Sequence, residues 1–367
     1  MAHYFVFGEK DASIERGFVA NSTASLKNSG LDEILEVGKE FQVDSTNFSR
    51  ILRSLIYFPI TAISESVASG EISLNAKYYL NLYEAASVGL DRDITLYANA
   101  VSQSWDEGDG KFTDDPQTET GVRWRYRTSG TGSQWSANQD NWGGTYFTGS
   151  NYVASQSFNK NLSVDMRMDV TPIVRSWMSG SIANEGFIIR RKAVEETSTS
   201  ASGIFKFFSS DTHTVFQPKL EVEWDDSTWQ TGSLSPLTSD NLNQLKLYVE
   251  NMNNDYKKGS IAKIIVKGRE KYPAKTFSTT SSYLDVKYLP SGSSFYSVVD
   301  TKTDTVIIPF GSGSKLSCDS SGNFFKLRTG ELEAERYYKL KFKIVSGSGI
   351  SAYTNFYDED LIFKVSR

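Results

Sequence analysis

The segment Asp106-Glu107-Gly108-Asp109-Gly110-Lys111-Phe112-Thr113-Asp114-Asp115 sets five carboxylates on a backbone broken by glycine. Calcium takes several oxygen ligands from loops of this kind, so Asp106, Glu107 and Asp109 are candidate ligands. The spacing is not that of a recognised calcium loop, and solvated carboxylates are the competing outcome. The same acids are candidates for the acid and base of a glycoside hydrolase. That chemistry needs a carboxyl whose pKa is raised by an apolar surrounding, which a solvated glycine-rich loop does not supply. Release of reducing sugar is therefore not expected, and no cofactor beyond calcium is implied.

Nucleophilic catalysis has little to build on. The chain holds two histidines, His3 and His213, far apart in sequence. It has no Cys-x-x-Cys, His-x-x-x-His, Gly-x-Ser-x-Gly or phosphate-cradling glycine loop. His213 falls in a turn, Asp211-Thr212-His213-Thr214, rather than beside a sharply held serine. The chain reads as non-enzymatic.

Binding surfaces are better represented. Trp135 and Trp142 stand among Gly, Ser and Asn, where loop aromatics serve either a protein interface or a sugar-stacking platform. An assembly contact is the favoured of the two, because aromatics are enriched at interface cores. Arg123, Arg125 and Arg127 alternate with Trp124 and Tyr126, so on a strand they share one face. Such a row pairs with carboxylates of a neighbouring subunit or with an acidic glycan; a solvated strand face is the alternative.

A chain of 367 residues with 39% hydrophobic content accommodates two domains with real cores. A net charge of -5 argues against nucleic acid, since phosphate neutralisation needs a basic surface. No apolar run is long enough for a membrane-spanning helix, and mean hydropathy is -0.38. The single cysteine, Cys318, forms no internal disulfide and is expected idle at a strand end. Aromatic content of 13% suits β structure.

One helix stands out. In Asp169-Val170-Thr171-Pro172-Ile173-Val174-Arg175-Ser176-Trp177-Met178-Ser179-Gly180, Thr171 is placed to cap and Pro172 fits the first turn. Ile173, Val174 and Trp177 share a face, and Gly180 ends the helix. A lone helix among strands plugs one end of a β-sandwich. Residues 227–240 read as a linker of turn formers, with a brief turn at 239–244. Beyond it, seven alternating segments begin at Lys246, Ile261, Leu284, Tyr296, Thr305, Tyr338 and Leu361. They predict an immunoglobulin-like sandwich over 241–367. Tyr337 or Tyr338 sits where that fold keeps a tyrosine corner, the alternative being simple packing at a strand start.

The first half resembles the DNRLRE-type domain, related to disaggregatase repeats and to a family of carbohydrate-binding modules. The resemblance covers roughly residues 1–226 and rests on blocks in order. These are Asn28 to Gly38, Ser49 to Phe58, Trp105-Asp106-Glu107, Val122-Arg123-Trp124, the Asp-Val-Thr-Pro helix, Phe205 to Ser210 and Gln217 to Trp224. It implies a jelly-roll-like β-sandwich with one short helix, and places Trp105 and Trp124 in the core. Asp211 departs from the family, which usually has Glu there, and no secretion signal precedes the domain. The whole chain is similar in style to structural proteins of tailed, myovirus-like bacteriophages. That similarity implies a virion protein of the tail, baseplate or neck, made in the host cytoplasm and docking other virion proteins, as a symmetric homo-oligomer. The alternative is a receptor-recognition protein holding host surface glycan.

Overall fold

The protein, seen in a computed structural model, is described over residues 2–17, 27–41, 49–90, 93–130, 132–136, 142–159, 161, 163–198, 202–237, 244–272, 277, 287–347 and 352–367. It is all-β and falls into two compact units. The N-terminal unit comprises Phe5–Ala68 and Lys77–Glu221; the C-terminal unit comprises Met1–Tyr4, Ser69–Ala76 and Val222–Arg367.

The first eleven strands are β1 (Ala2–Phe7), β2 (Lys10–Arg16), β3 (Ile34–Phe41), β4 (Ser49–Tyr57), β5 (Lys77–Leu82), β6 (Ile94–Ala100), β7 (Val153–Phe158), β8 (Met166–Asp169), β9 (Phe187–Arg191), β10 (Gly203–Phe208) and β11 (Lys219–Trp224). One sheet runs β1-β11-β5-β8; the other runs β10-β3-β4-β9-β6-β7, with β2 also paired to β4. Alternation decides which side chains go inside. In β10, Phe205 and Phe207 are buried while Ile204 and Lys206 are half-exposed. The strands expected at Asn28 to Gly38 and Ser49 to Phe58 appear as β3 and β4, although 28–33 stay outside the strand.

Among the described residues three short α-helices interrupt the strands: α1 (Thr61–Ala68), α2 (Thr171–Met178) and α3 (Ala193–Thr197). The sequence pattern showed only the second. Ile173, Val174 and Trp177 are buried as expected, and Trp177 packs on Phe187 with centroids 4.6 Å apart. Gly180, at φ 70°, donates back to the Trp177 carbonyl and closes the helix. The capping differs from expectation. Val170 is the N-cap and Thr171 lies inside the first turn. The Thr171 hydroxyl is taken by the Tyr78 N–H at 2.9 Å, while the Asp169 carboxylate accepts the Thr171 N–H at 3.0 Å.

The arginine-bearing segment 122–127 is not a strand. It is irregular backbone with a single bridge, Tyr126 to Gln134. No longer ladder sets the alternation, and the three arginines go to different partners: Arg123 to the Gly130 carbonyl, Arg125 to the Trp142 ring and Arg127 to Ser104.

The C-terminal unit is a sandwich of strands β12 (Ser235–Pro236), β13 (Leu245–Glu250), β14 (Asp255–Lys257), β15 (Ile261–Glu270), β16 (Lys287–Tyr288), β17 (Ser294–Asp300), β18 (Val306–Ile308), β19 (Ser317–Asp319), β20 (Gly322–Arg328), β21 (Arg336–Ser346) and β22 (Tyr353–Ser366). One sheet runs β12-β16-β15-β20-β19 with β13 on β15, the other β14-β22-β21-β17-β18. In β21, Leu340, Phe342 and Ile344 are buried and the intervening lysines half-exposed. Tyr296 stacks on Phe325 at 4.1 Å in the same core. The hairpin expected around Thr305 forms between β17 and β18. The β19–β20 hairpin was not legible, because its Asp-Ser-Ser-Gly-Asn centre reads as loop. It buries Cys318, whose thiol burial pushes up to about 11. Leu284 to Val286 and the turn at 238–243 lie outside the described residues.

Residues 227–237 are not a free linker. Cys318 donates to the Thr228 carbonyl, Gln230 donates to the Cys318 carbonyl, and Ser235–Pro236 pairs in parallel with Lys287–Tyr288. Turn-forming residues here lie along a sheet edge, where their backbone groups find partners.

Tyr338 decides between the two readings of the strand start. Its ring is 2% exposed, and its hydroxyl donates to the Glu333 carbonyl at 3.0 Å, five residues upstream. That is the geometry of a tyrosine corner. Tyr338→Phe keeps the ring and removes the bond. We expect it to lower the urea midpoint by the equivalent of about 1 kcal/mol with an unchanged far-UV spectrum.

Candidate functional site

The acidic loop is folded around one buried carboxamide. Asn28 is 1% exposed. Its Nδ2 donates to the Glu107 carbonyl at 2.7 Å and the Val122 carbonyl at 2.9 Å. Its Oδ1 accepts the N–H groups of Gly30 at 3.2 Å and Gly110 at 2.8 Å. Every hydrogen-bonding capacity of the amide is thus used. The loop glycines are there for this close approach. A side chain at Gly121, whose φ is 65°, would strike the Glu107 carbonyl, and one at Gly110 would strike Thr118.

The five acids separate accordingly. Asp106 and Asp109 are exposed, and Asp109 accepts the Thr120 hydroxyl. Asp114 accepts the Lys111 N–H at 2.7 Å. Glu107 turns inward and its Oε1 accepts the Asp11 N–H at 2.7 Å. Among the described residues no three Asp, Glu, His or Cys side chains converge as a metal site would require, so the set Asp106, Glu107 and Asp109 is not brought together.

The expectation that these acids lack a burying environment fails at Glu107. Burial raises its pKa, against the Asp11 N–H, with the Asp211 charge adding to the rise. Asp11 beside it is fully buried, and burial lifts its carboxyl to about 7. The Ser210 N–H on Oδ2, at 2.7 Å, opposes that shift, while the charges of Glu107 and Asp211 add to it. Asp11 Oδ1 has no partner among the described residues. The Asp11 carboxyl has no exposed surface, and with Glu107 beside it the pair is a point of electrostatic strain.

The aromatic cluster also differs from expectation. Trp105 and Trp124 are core residues, as expected, but so is Trp135, 2% exposed. It packs with Ala12, Ile14, Val122 and Ile188, and its indole N–H reaches the Arg123 carbonyl at 3.2 Å. A tryptophan with its one donor satisfied buries its ring at little polar cost. Trp142 is half-buried against the same cluster and carries Arg125 at 4.3 Å from its ring. Arg123 is 1% exposed, donates to the Gly130 carbonyl at 2.5 Å and stacks on Tyr126. Arg127 is spent on Ser104. None of these five residues forms a free row for a partner.

A different concavity does open in the N-terminal unit. It encloses about 350 Å³ against β2, β3, β4 and β10, with Glu15, Asp32, Glu36, Arg50, Phe112 and Lys206 in its lining. Arg50 grips Glu15 through two bonds, of 2.6 and 3.1 Å. Lys206 faces Glu36 across β10 and β3 at 2.7 Å. Phe112, from the acidic loop, lies 5.3 Å from the Arg50 guanidinium and 4.4 Å from the Lys27 ammonium. The Asp32 carboxylate holds the Phe112 N–H at 3.0 Å, and burial raises its pKa against that bond. One half-exposed ring beside a row of charged donors and acceptors can stack on and hydrogen-bond a polyhydroxylated ligand. Sequence reasoning missed this groove, because its residues come from four strands and a loop. The only local signal was Phe112 within the acidic run.

No protein-family model matches the sequence. No curated protein matches it either. Among solved structures, the chain is similar to a DUF4785 family protein from Legionella pneumophila, with 8% identity and a TM-score of 0.21. The likeness covers 98% of this chain, which spans 65% of that protein's length.

Two outcomes follow. Asn28→Ala leaves two buried carbonyls and two N–H groups without partners, and is expected to cost about 3 kcal/mol in chemical unfolding. Asp11 binds its proton more tightly folded, near 7, than at its ordinary 3.8. Its contribution is therefore fully present below the ordinary value and is lost as pH rises through the folded one. Asp11→Asn should flatten that loss, leaving the variant more stable than the parent at about pH 8 by on the order of 2 kcal/mol, with a smaller difference at about pH 5. Parallel urea titrations at the two pH values measure this.

Proposed function

We propose that the chain is a non-enzymatic structural protein working by subunit docking, and specifically a virion component, in the tail, baseplate or neck, of a tailed bacteriophage. The observation that carries the docking reading is an aromatic patch in the C-terminal unit. Phe295, Lys343 and Phe356 stand in register across β17, β21 and β22. Phe356 is 63% exposed and Phe310 packs against it at 5.7 Å. Exposed clustered aromatics around an amphipathic lysine are the composition of a protein interface. The phage assignment rests on the sequence resemblance, and implies other virion proteins and further copies of this chain as partners. The virion is the implied location.

The groove roofed by Phe112 favours a second reading, in which the N-terminal unit holds a host surface glycan. Two substitutions distinguish the readings. Phe356→Asp should block incorporation into particles, assayed by cryo-EM and by protein content of purified virions, while Phe112→Ala leaves incorporation intact. Glycan-array binding lost in Phe112→Ala, with Phe356→Asp assembling normally, would instead establish the second reading. A chain present only in lysate and never in particles rejects the virion assignment.

A further inference from the structure

A smaller concavity of about 270 Å³ lies elsewhere on the N-terminal unit, lined by Tyr97, Asn99, Thr148, Val153, Arg190 and Lys192 together with Ala193 and Val194. Its lining includes two cations and no carboxylate, in a chain whose net charge is -5. The cations differ from their neighbours in how they are compensated. Arg53 is gripped by Glu196 through bonds of 3.1 and 2.7 Å, and Arg191 is paired with Glu195 at 3.3 Å. Among the described residues neither Arg190 nor Lys192 has a carboxylate within ion-pair distance.

The Arg190 side chain is nevertheless held in place. Nε donates to Asn99 Oδ1 at 3.2 Å and Nη1 to the Arg191 carbonyl at 2.9 Å. The guanidinium lies 4.4 Å from the Tyr146 ring and 5.7 Å from the Tyr97 ring, which stands opposite it across β9 and β6. Asn99 is itself fixed by donating to the Phe147 carbonyl at 3.0 Å. Burial pulls the Arg190 pKa down and Arg53 adds to the shift, while Tyr146, Glu196 and Tyr97 oppose it. The nearest carboxylate acting on it, Glu196, is spent on Arg53, so a half-buried, aligned guanidinium here gains when an anion arrives.

We propose that the Arg190–Lys192 pocket is a binding site for an oxyanion, a carboxylate or phosphate group on a small polar ligand. Arg190 supplies the fixed fork and Lys192 the mobile point charge. Tyr97 and Thr148 offer hydroxyls to whatever carries the anion. The volume suits one ring-sized ligand rather than a polymer segment.

The test is calorimetric titration of the full chain with inorganic phosphate, with glucuronate and with neutral glucose. Saturable binding of phosphate or glucuronate, with glucose silent, is the expected result, and the stronger of the two identifies the anion class. Lys192→Gln, at an exposed side chain where folding is not at stake, should weaken binding roughly tenfold, and Arg190→Gln by more, with strong salt dependence. Binding that neither substitution changes overturns the proposal. So does glucose binding as tightly as glucuronate, or no saturation by either anion.

Discussion

The N-terminal unit depends on a constraint set by polar satisfaction. Its larger sheet is covered on one face by irregular chain, over the described residues between Val101 and Phe147, which has little ladder to hold it. Asn28 does part of that holding by acting as a surrogate backbone, meeting two carbonyls and two amides. Buried irregular backbone survives only where its hydrogen bonds are met. The Trp105–Trp124–Trp135 cluster then fixes the same chain to the sheet by apolar contact. The groove follows from that anchoring, since Phe112 roofs it only because the loop around Asn28 is fixed.

Charge is handled pair by pair in this unit. Arg53 sits on Trp124 at 4.9 Å, pairs with Glu196 from α3 and donates to the Gly143 carbonyl at 2.7 Å. One buried cation therefore joins the sheet, the covering chain and a short helix. Removing either partner of such a pair leaves the other charge buried alone, which is far costlier than losing the attraction. Glu15 with Arg50 and Glu36 with Lys206 repeat the arrangement in the groove, nearer solvent. Asp11 and Arg190 are the counterexamples, two groups of opposite charge type in separate places that have no ion pair among the described residues. They show where packing has been set against electrostatics.

Periodicity made much of the architecture legible in the sequence. β21 announces itself by alternation, β4 and β10 through the blocks of the family resemblance, and α2 by its apolar face of Ile173, Val174 and Trp177. The tyrosine at the head of β21 was legible as one of two positions, and its hydroxyl chose Tyr338. What stayed hidden is what has no period. Trp135 stands among Gly, Ser and Gln like any loop residue, and only the tertiary fold turns it inward. The arginine alternation at 123–127 imitates a strand, but no neighbouring strand is there to enforce it. Asn28 carries no pattern at all, and the residues of the groove are separated by up to 193 positions, from Ser13 to Lys206.

Cys318 gives the molecule an internal clock. The residue is 1% exposed, and burial pushes its thiol up to about 11, so the reactive thiolate is scarce in the native state at neutral pH. An alkylating reagent therefore reacts chiefly with molecules whose β19–β20 hairpin has come away from β15. The rate of labelling counts those openings. The chain's single thiol, inside the C-terminal sandwich, thus makes its local breathing measurable without adding any probe to the chain.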